Sequence, residues 1–210
     1  MIAERVGTKP RTEALEAETA EVELKRRRFT AADFLRMTEV GLFKEDERLE
    51  LLWGEIAEMS PINVAHVLCV NRLNAILSEK LATQAIVSVQ NPVQLDDQSL
   101  PQPDVALWKP AIDEYSRSNR LPGPSELLLV IEVADTSIGD DRRVKATLYA
   151  HAGIADYWIV NLRDRWIEVY REPRPDGYRT VTRYAPGETL SPLAFADVAL
   201  NVAEILGTSD

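Results

Sequence analysis

The chain has 210 residues, of which 45% are hydrophobic and 28% are charged, and its formal net charge is −10. These values fit one globular domain with a core of its own. No apolar run approaches about 18 residues, which excludes a membrane-spanning protein. No signal-like apolar stretch stands at the N-terminus and Cys69 is the single cysteine, which excludes a secreted protein held together by disulfides. We therefore expect a cytoplasmic protein.

Acidic residues dominate most of the chain. Residues 1–28 hold seven basic and six acidic residues, which leaves about −11 for the remainder. A broad phosphate-neutralising surface is therefore excluded, and contact with nucleic acid has to use local basic patches, a bound cation or both. Residues 1–28 end in four basic residues and offer little apolar surface to bury, so we predict a charged tail, solvated rather than a nucleic-acid or partner arm.

The predicted domain, residues 29–207, begins with a short helix and a hairpin. Thr30 is a suitable N-cap for a helix over residues 31–41, which Gly41 would end. Residues 49–60 read as two short strands joined by a turn at Trp53-Gly54.

A long helix is predicted next. Ser60 would cap it and Pro61 would occupy its first position. Steps of three and four residues place five side chains on its buried face: His66, Val70, Leu73, Leu77 and Leu81.

Strand patterns fill most of the second half. Three candidates lie at residues 85–95, 103–108 and 126–134, with a polar loop from Lys109 to Ser125 before the third. A helix from Asp140-Asp141 to about His151 follows. A strand pair, a further strand and a short C-terminal helix come next, at residues 156–162, 166–173, 178–184 and near Leu206. This order predicts an α/β or α+β domain in layers.

Glu132 is the most informative residue. It lies in an almost continuously apolar strand, where an ionised carboxylate is costly unless it is paired or bound to a metal. A structural salt bridge, or a strand-end position that reaches solvent, is the alternative. We favour a metal ligand or a catalytic acid or base.

Asp104 gives Glu132 a partner. Alternate side chains of a strand lie on the same face of a sheet. If the two strands pair, the side chains of one alternating set share a face with those of another: Asp104, Ala106 and Trp108 with Leu128, Val130 and Glu132. Two neighbouring carboxylates repel each other, and a hard divalent cation such as Mg²⁺ relieves that repulsion.

The following helix supplies cations. Lys145 stands beside an apolar face formed by Val144 and Leu148, so its stem could run along the core and bring the ammonium group to a cleft. A surface position or a helix ion pair with Asp141 is the alternative.

Three strings, Pro103-Asp104-Val105, Val130-Ile131-Glu132-Val133 and Asp141-Arg142-Arg143-Val144-Lys145, resemble the PD-(D/E)XK nuclease superfamily, and more narrowly the Uma-type restriction endonuclease-like family. The stretches from Leu49 to Glu55, from Met59 to His66 and from Tyr149 to Val160 resemble the same family. The superfamily's usual lysine, two residues after the glutamate, is replaced by Ala134, and Lys145 fits the family's alternative position.

The resemblance implies a restriction-endonuclease-like core: a mixed sheet flanked by helices, with an extra N-terminal hairpin. It implies Mg²⁺- or Mn²⁺-dependent phosphodiester hydrolysis in nucleic acid, with DNA as the favoured substrate. The metal ligands would be Asp104, Glu132 and the main-chain carbonyl of Val133, with Lys145 as the catalytic cation. A homodimer is compatible with it, because cutting two strands calls for two centres.

Two further residues enter the candidate catalytic set through the resemblance. Glu50 would approach the centre from the hairpin or be a surface carboxylate. For His66 we favour a hydrogen-bonded core histidine over a site residue.

The sequence leaves two alternative functions. A non-catalytic protein-interaction or regulatory module on the same fold is the alternative, favoured by the acidic domain and by Ala134. A nucleophilic hydrolase has little support, because Cys69 lies in an apolar helical stretch typical of a core position.

Overall fold

The structure, a computed structural model, describes residues 26–44 and 46–207. The prediction of a charged tail falls largely on residues 1–25, which lie outside the described part. Arg28, at the end of the basic run, donates to the main-chain oxygen of Trp53 at 2.9 Å and pairs with Glu55 at 2.7 Å. No helix among the described residues is long and apolar enough to cross a membrane.

The helices and strands follow one another in an α+β order. In chain order they are α1 (Ala31–Glu39), β1 (Leu49–Leu52), β2 (Glu55–Glu58), α2 (Val64–Leu81), β3 (Ile86–Val89), β4 (Val105–Trp108), α3 (Ile112–Ser118), a 3₁₀ turn (Pro124–Glu126), β5 (Leu127–Ala134), α4 (Ile138–Asp140), a π turn (Asp141–Lys145), α5 (Ala146–His151), β6 (Asp156–Asn161), β7 (Trp166–Arg174), β8 (Gly177–Tyr184), β9 (Thr189–Leu190), β10 (Leu200–Asn201) and α6 (Val202–Leu206).

Six strands form one mixed sheet in the order β3-β4-β5-β6-β7-β8. β5 and β6 are parallel and every other neighbouring pair is antiparallel. Parallel strands need a crossover, and the segment from α4 to α5 supplies it. Helices α2 and α6 pack on one face and α5 packs on the other, so the central strands β5 and β6 are buried on both faces. The predicted mixed sheet flanked by helices is confirmed.

Local sequence signals explain the first elements. The Thr30 side chain accepts from the Asp33 main-chain N–H at 3.0 Å. The Asp33 side chain accepts in return from the Thr30 main-chain N–H at 3.0 Å, which completes a capping box. Trp53 and Gly54 have positive φ values of 54° and 76°, the conformation of a tight turn whose twist matches a two-stranded hairpin. The predicted helix and hairpin are both present.

The start of α2 differs from the prediction. Asn63, and not Ser60, is the N-cap: its side chain accepts from the His66 main-chain N–H at 2.9 Å, and the helix begins at Val64. Ser60 and Pro61 lie before the helix, because the side chain that satisfies the free N–H groups sets the first turn. The five residues predicted for the buried face of α2 are all buried.

The crossover helix begins earlier than predicted, at Ile138, and contains the π turn. The wider turn shifts the helical phase, so Val144 is 37% exposed and does not contribute to an apolar face, whereas Lys145 is buried. The loop from Lys109 to Ser125 also differs from the prediction, since it contains α3.

A register shift between β4 and β5 corrects one of the predicted face assignments. Ala106 pairs with Val130, but Trp108 pairs with Leu127, so β5 carries one extra residue there. Leu128 therefore packs in the opposite core from Val130. The prediction that the two sets of side chains share one face is confirmed at the end of the strands that carries Asp104 and Glu132. It is wrong for Leu128.

Candidate active site

Asp104 and Glu132 lie side by side at one end of the β4–β5 pair. Val105 pairs with Ile131 in antiparallel register, which places Asp104 opposite Glu132. The Asp104 main-chain N–H approaches Glu132 Oε2 at 3.4 Å, and both residues are buried. The two carboxyl groups that strand alternation predicted on one face are therefore neighbours.

The Asp104 carboxylate is held by three donors from three elements. Oδ2 lies 3.0 Å from His66 Nε2 and accepts from the Val133 main-chain N–H at 2.9 Å. Oδ1 accepts from Gln90 Nε2 at 3.2 Å. Burial raises the pKa of Asp104, but the hydrogen bonds and the charge of His66 outweigh burial and lower that pKa overall. Asp104 therefore remains ionised and fixed in orientation.

Lys145 reaches the same centre from the crossover helix. Its Nζ lies 3.1 Å from Glu132 Oε1 and 3.2 Å from Glu50 Oε1, and the three side chains are almost fully buried. Burial lowers the pKa of Lys145, but the facing carboxylates of Glu132, Glu50 and Asp141 raise it above its ordinary value. The facing carboxylates therefore favour the protonated ammonium form of Lys145.

Glu50 is brought into the centre by the hairpin. Besides Lys145, it contacts the loop before β4, where the Gln102 main-chain N–H donates to Glu50 Oε2 at 3.2 Å. β1 is also bridged to this loop through Leu51 and Leu100. Glu50 is therefore buried at the centre and is not a surface carboxylate.

Carboxyl groups outnumber ammonium groups around this centre. One cleft is lined by Glu50, Asp104, Glu132, Asp141 and Lys145. Burial raises the pKa of Glu132 well above its ordinary value and that of Asp141 to about 6, against the opposing effect of Lys145. An additional cation in the cleft would relieve this excess.

The donor set suits a hard divalent cation. Asp104 and Glu132 offer carboxylate oxygens, and Val133, the residue after Glu132, offers a main-chain carbonyl. Among residues 26–44 and 46–207, no group of three or more His, Cys, Asp or Glu side chains is arranged to hold a metal ion by itself. Mg²⁺ does not require one, because it keeps several waters and binds through one or two carboxylates.

His66 is both buried and part of this centre. Its main-chain N–H binds the N-cap Asn63, its Nε2 contacts Asp104, and its buried Nδ1 has no partner among the described residues. His66 is therefore a buried, hydrogen-bonded histidine and also a neighbour of the carboxylates, because the buried face of α2 faces Asp104.

Three further side-chain contacts support the centre. The Tyr149 hydroxyl donates to Glu132 Oε1 at 2.9 Å, Gln90 binds Asp104, and Asp141 accepts from Ser137 at 2.7 Å. Tyr149 lies one helical turn beyond Lys145, so helical spacing places it on the same side as Lys145. Gln90 follows a strand that pairs only in the tertiary structure, so no local signal marks it.

Cys69 lies in the core beneath α6. It is fully buried, its Sγ lies 3.6 Å from the Ile205 main-chain oxygen, and burial raises its thiol pKa to about 12. A thiol with this pKa is not a nucleophile at neutral pH.

The fold and the centre together define a class of protein. A mixed sheet covered by helices on both faces, with carboxylates and a lysine at one strand end, characterises restriction-endonuclease-like nucleases. A crystal structure from Anabaena variabilis, titled "putative nuclease belonging to DUF820", shares the fold with a TM-score of 0.62 and 14% identity. The match covers 85% of this chain and 97% of that one.

The family follows from a match over most of the chain. The family model described as "Uma2: Putative restriction endonuclease" matches residues 31–203, so the chain belongs to this family. No curated protein is significantly similar to the chain.

Proposed function

We propose that the protein is a divalent-metal-dependent endonuclease that hydrolyses phosphodiester bonds in nucleic acid. The observation that carries the proposal is the adjacency of Asp104 and Glu132, with Lys145 contacting the same carboxylate at 3.1 Å. We favour DNA as the substrate because the family is described as a restriction endonuclease.

The metal site would consist of oxygen ligands. Asp104 and Glu132 would hold Mg²⁺ or Mn²⁺ together with the main-chain carbonyl of Val133. A bound divalent cation supplies Lewis-acid polarisation of the scissile phosphate and lowers the pKa of a water at the centre. His66 and the Val133 N–H occupy Asp104 Oδ2, which leaves Oδ1 the less engaged oxygen.

Lys145 would stabilise negative charge on the phosphate during hydrolysis. Its raised pKa keeps the ammonium group protonated, and its contacts to Glu132 and Glu50 fix its position. A cation held in place before the reaction stabilises developing charge without reorganisation. Glu50 would act as a positioning residue through Lys145.

Hydrolysis adds one water across one bond. The water oxygen bonds to phosphorus, the bond from phosphorus to a sugar oxygen breaks, and that oxygen leaves as a hydroxyl group with a proton. The products are a phosphomonoester end and a hydroxyl end.

The replacement of the usual lysine by Ala134 is compatible with catalysis. Ala134 is fully buried in an apolar core, whereas Lys145 supplies an ammonium group to Glu132 from the crossover. This contact favours the nuclease over the interaction module, for which Ala134 was an argument.

Calorimetry with Mn²⁺ and a cleavage assay on plasmid and single-stranded DNA test the proposal. We expect Asp104→Asn and Glu132→Gln to abolish both Mn²⁺ binding and cleavage while the far-ultraviolet circular dichroism spectrum is retained. Asp113→Asn, a carboxylate change on the exposed side of α3, is the matched control and should behave as the parent chain.

Two results would contradict the proposal. One is parent-like cleavage by folded Glu132→Gln protein. The other is a parent chain that neither binds Mn²⁺ at millimolar concentration nor cleaves nucleic acid, which would favour the interaction module.

A further inference from the structure

A second charged group lies on the same face of the sheet as the carboxylate centre. Glu168 of β7 is 1% exposed. In the sheet register Glu132 is beside Ile159, and Ile159 is beside Glu168. Since neighbouring strands lie about 4.8 Å apart, Glu168 is roughly 10 Å from Glu132 across the sheet.

Two arginines converge on Glu168. Arg142, in the π turn, donates through Nε at 2.9 Å and through Nη2 at 2.6 Å. Arg183, opposite Glu168 on β8, donates through Nε at 3.0 Å, and its guanidinium group lies 4.8 Å from the centre of the Trp166 ring. The Trp166 N–H and the Tyr170 hydroxyl also donate to this carboxylate. Both arginines are therefore held in place.

Charge and hydrogen-bonding capacity remain for a ligand. A guanidinium group has five N–H donors, of which Arg142 gives two to Glu168 and Arg183 gives one. The two side chains are 34% and 60% exposed. One carboxylate offsets one of two positive charges, and guanidinium groups fixed in advance lose little entropy on binding an anion.

The segment that carries both arginines is basic in an otherwise acidic domain. Residues 140–184 hold nine basic and seven acidic residues, whereas residues 29–139 hold eight and seventeen. Three of the acidic residues in 140–184, Asp141, Asp156 and Glu168, are buried, as is one basic residue, Lys145. Among the residues of this segment that are not buried, basic side chains therefore outnumber acidic ones two to one.

We infer that Arg142 and Arg183, held by Glu168, bind a backbone phosphate of the nucleic-acid strand near the bond that is hydrolysed. The inference rests on the proposed function and adds a substrate-binding site to it. A strand carries one phosphate for about every 3.4 Å of helix axis, so a strand bound at Asp104 and Glu132 has other phosphates within the 10 Å spacing. The contact is independent of base sequence.

The experiment measures binding of a short fluorescein-labelled DNA duplex, and of its single strand, by fluorescence anisotropy over a range of salt concentrations. A Glu132→Gln background prevents hydrolysis. We expect Arg142→Gln and Arg183→Gln each to weaken binding about tenfold. Each should also reduce the slope of log affinity against log salt by about 1. Mn²⁺ binding, measured with Glu132 present, should not change.

Arg171→Gln is the matched control. Arg171 also pairs with a buried carboxylate, Asp156, at 2.8 Å and is 30% exposed, but it lies on the α2 face of the sheet. Its replacement should leave affinity and salt slope unchanged. If the Arg142→Gln variant does not fold, the Arg183→Gln variant tests the phosphate site alone, because Arg183 is the more exposed of the two side chains.

The outcomes separate the two proposals. Unchanged affinity and slope in folded Arg183→Gln, with Mn²⁺ binding and cleavage intact in the parent chain, overturn the phosphate site alone. A parent chain that binds neither Mn²⁺ nor DNA overturns the phosphate site together with the proposed function.

Discussion

Glu132 and Lys145 depend on each other because both are buried. Removing one partner of a buried ion pair leaves an uncompensated charge in a medium of low polarity, which costs more than the pair itself contributes. Glu50 contacts the same ammonium group, so it too would lose a charge partner if Lys145 were replaced.

Replacement of Lys145 by methionine should destabilise the folded protein. We expect the free energy of unfolding, measured in urea at pH 8 without metal, to fall by on the order of 3 kcal/mol. The double variant Lys145→Met/Glu132→Gln should recover part of this loss, because it removes one of the two carboxylates left without a cation. Equal stability of the single and double variants would show that the two groups are not coupled.

Asp141 is a residue at which stability depends on pH. Its pKa rises from 3.8 to about 6 on folding, so the folded state favours the protonated form. Above pH 6 the carboxylate is ionised in both states and destabilises the fold by up to about 3 kcal/mol. This destabilisation decreases as the pH falls toward 3.8, and below that value it is absent.

Asp141→Asn should therefore stabilise the metal-free protein at pH 8 and leave its stability unchanged below pH 4. Urea unfolding in the presence of a chelator, repeated across this pH range, measures the difference. A gain that is constant with pH, or that grows on acidification, would contradict the assignment.

At the scale of elements, α2 and the crossover helix position most of the centre. The N-terminus of α2 presents His66 to Asp104, and its cap Asn63 also contacts Asp135 after β5. The π turn places Lys145 in the core and Arg142 above β7. Neither the cap nor the π turn follows from hydrophobic periodicity, because each is set by side-chain contacts with other elements.

The cap of α2 can be tested separately. Asn63→Ala should lower the free energy of unfolding by about 1 kcal/mol, because two contacts of the side chain are lost. Asn63→Ser should retain most of the stability, since serine also accepts from the first turn. If alanine and serine are equally tolerated, the helix begins elsewhere.

At the scale of the whole molecule, charge is distributed unevenly. The net charge of −10 opposes nucleic-acid binding in general, but the excess of carboxylates in the cleft favours a divalent cation there. On the proposed function, cation binding and folding would be linked, because the unfolded chain does not hold these carboxylates together.

Mn²⁺ should raise the thermal midpoint of unfolding at pH 8. At a free metal concentration of about 100 times the Kd, the stabilisation is about 2.7 kcal/mol. Differential scanning calorimetry with increasing Mn²⁺ measures the shift. The Asp104→Asn/Glu132→Gln double variant should show none, and an equal shift in that variant would place the cation elsewhere.

The sequence by itself determined most of the order of elements and the alternation that places Asp104 and Glu132 on one face, because these features follow from hydrophobic period and strand geometry. The mixed sheet and Lys145 were indicated only through resemblance to the family. The tertiary structure decided that Glu50 and Lys145 meet, that His66 contacts Asp104, and that Arg142 and Arg183 share Glu168. These contacts join residues distant in the chain, and their energies depend on burial and on neighbouring charge, which no local pattern encodes.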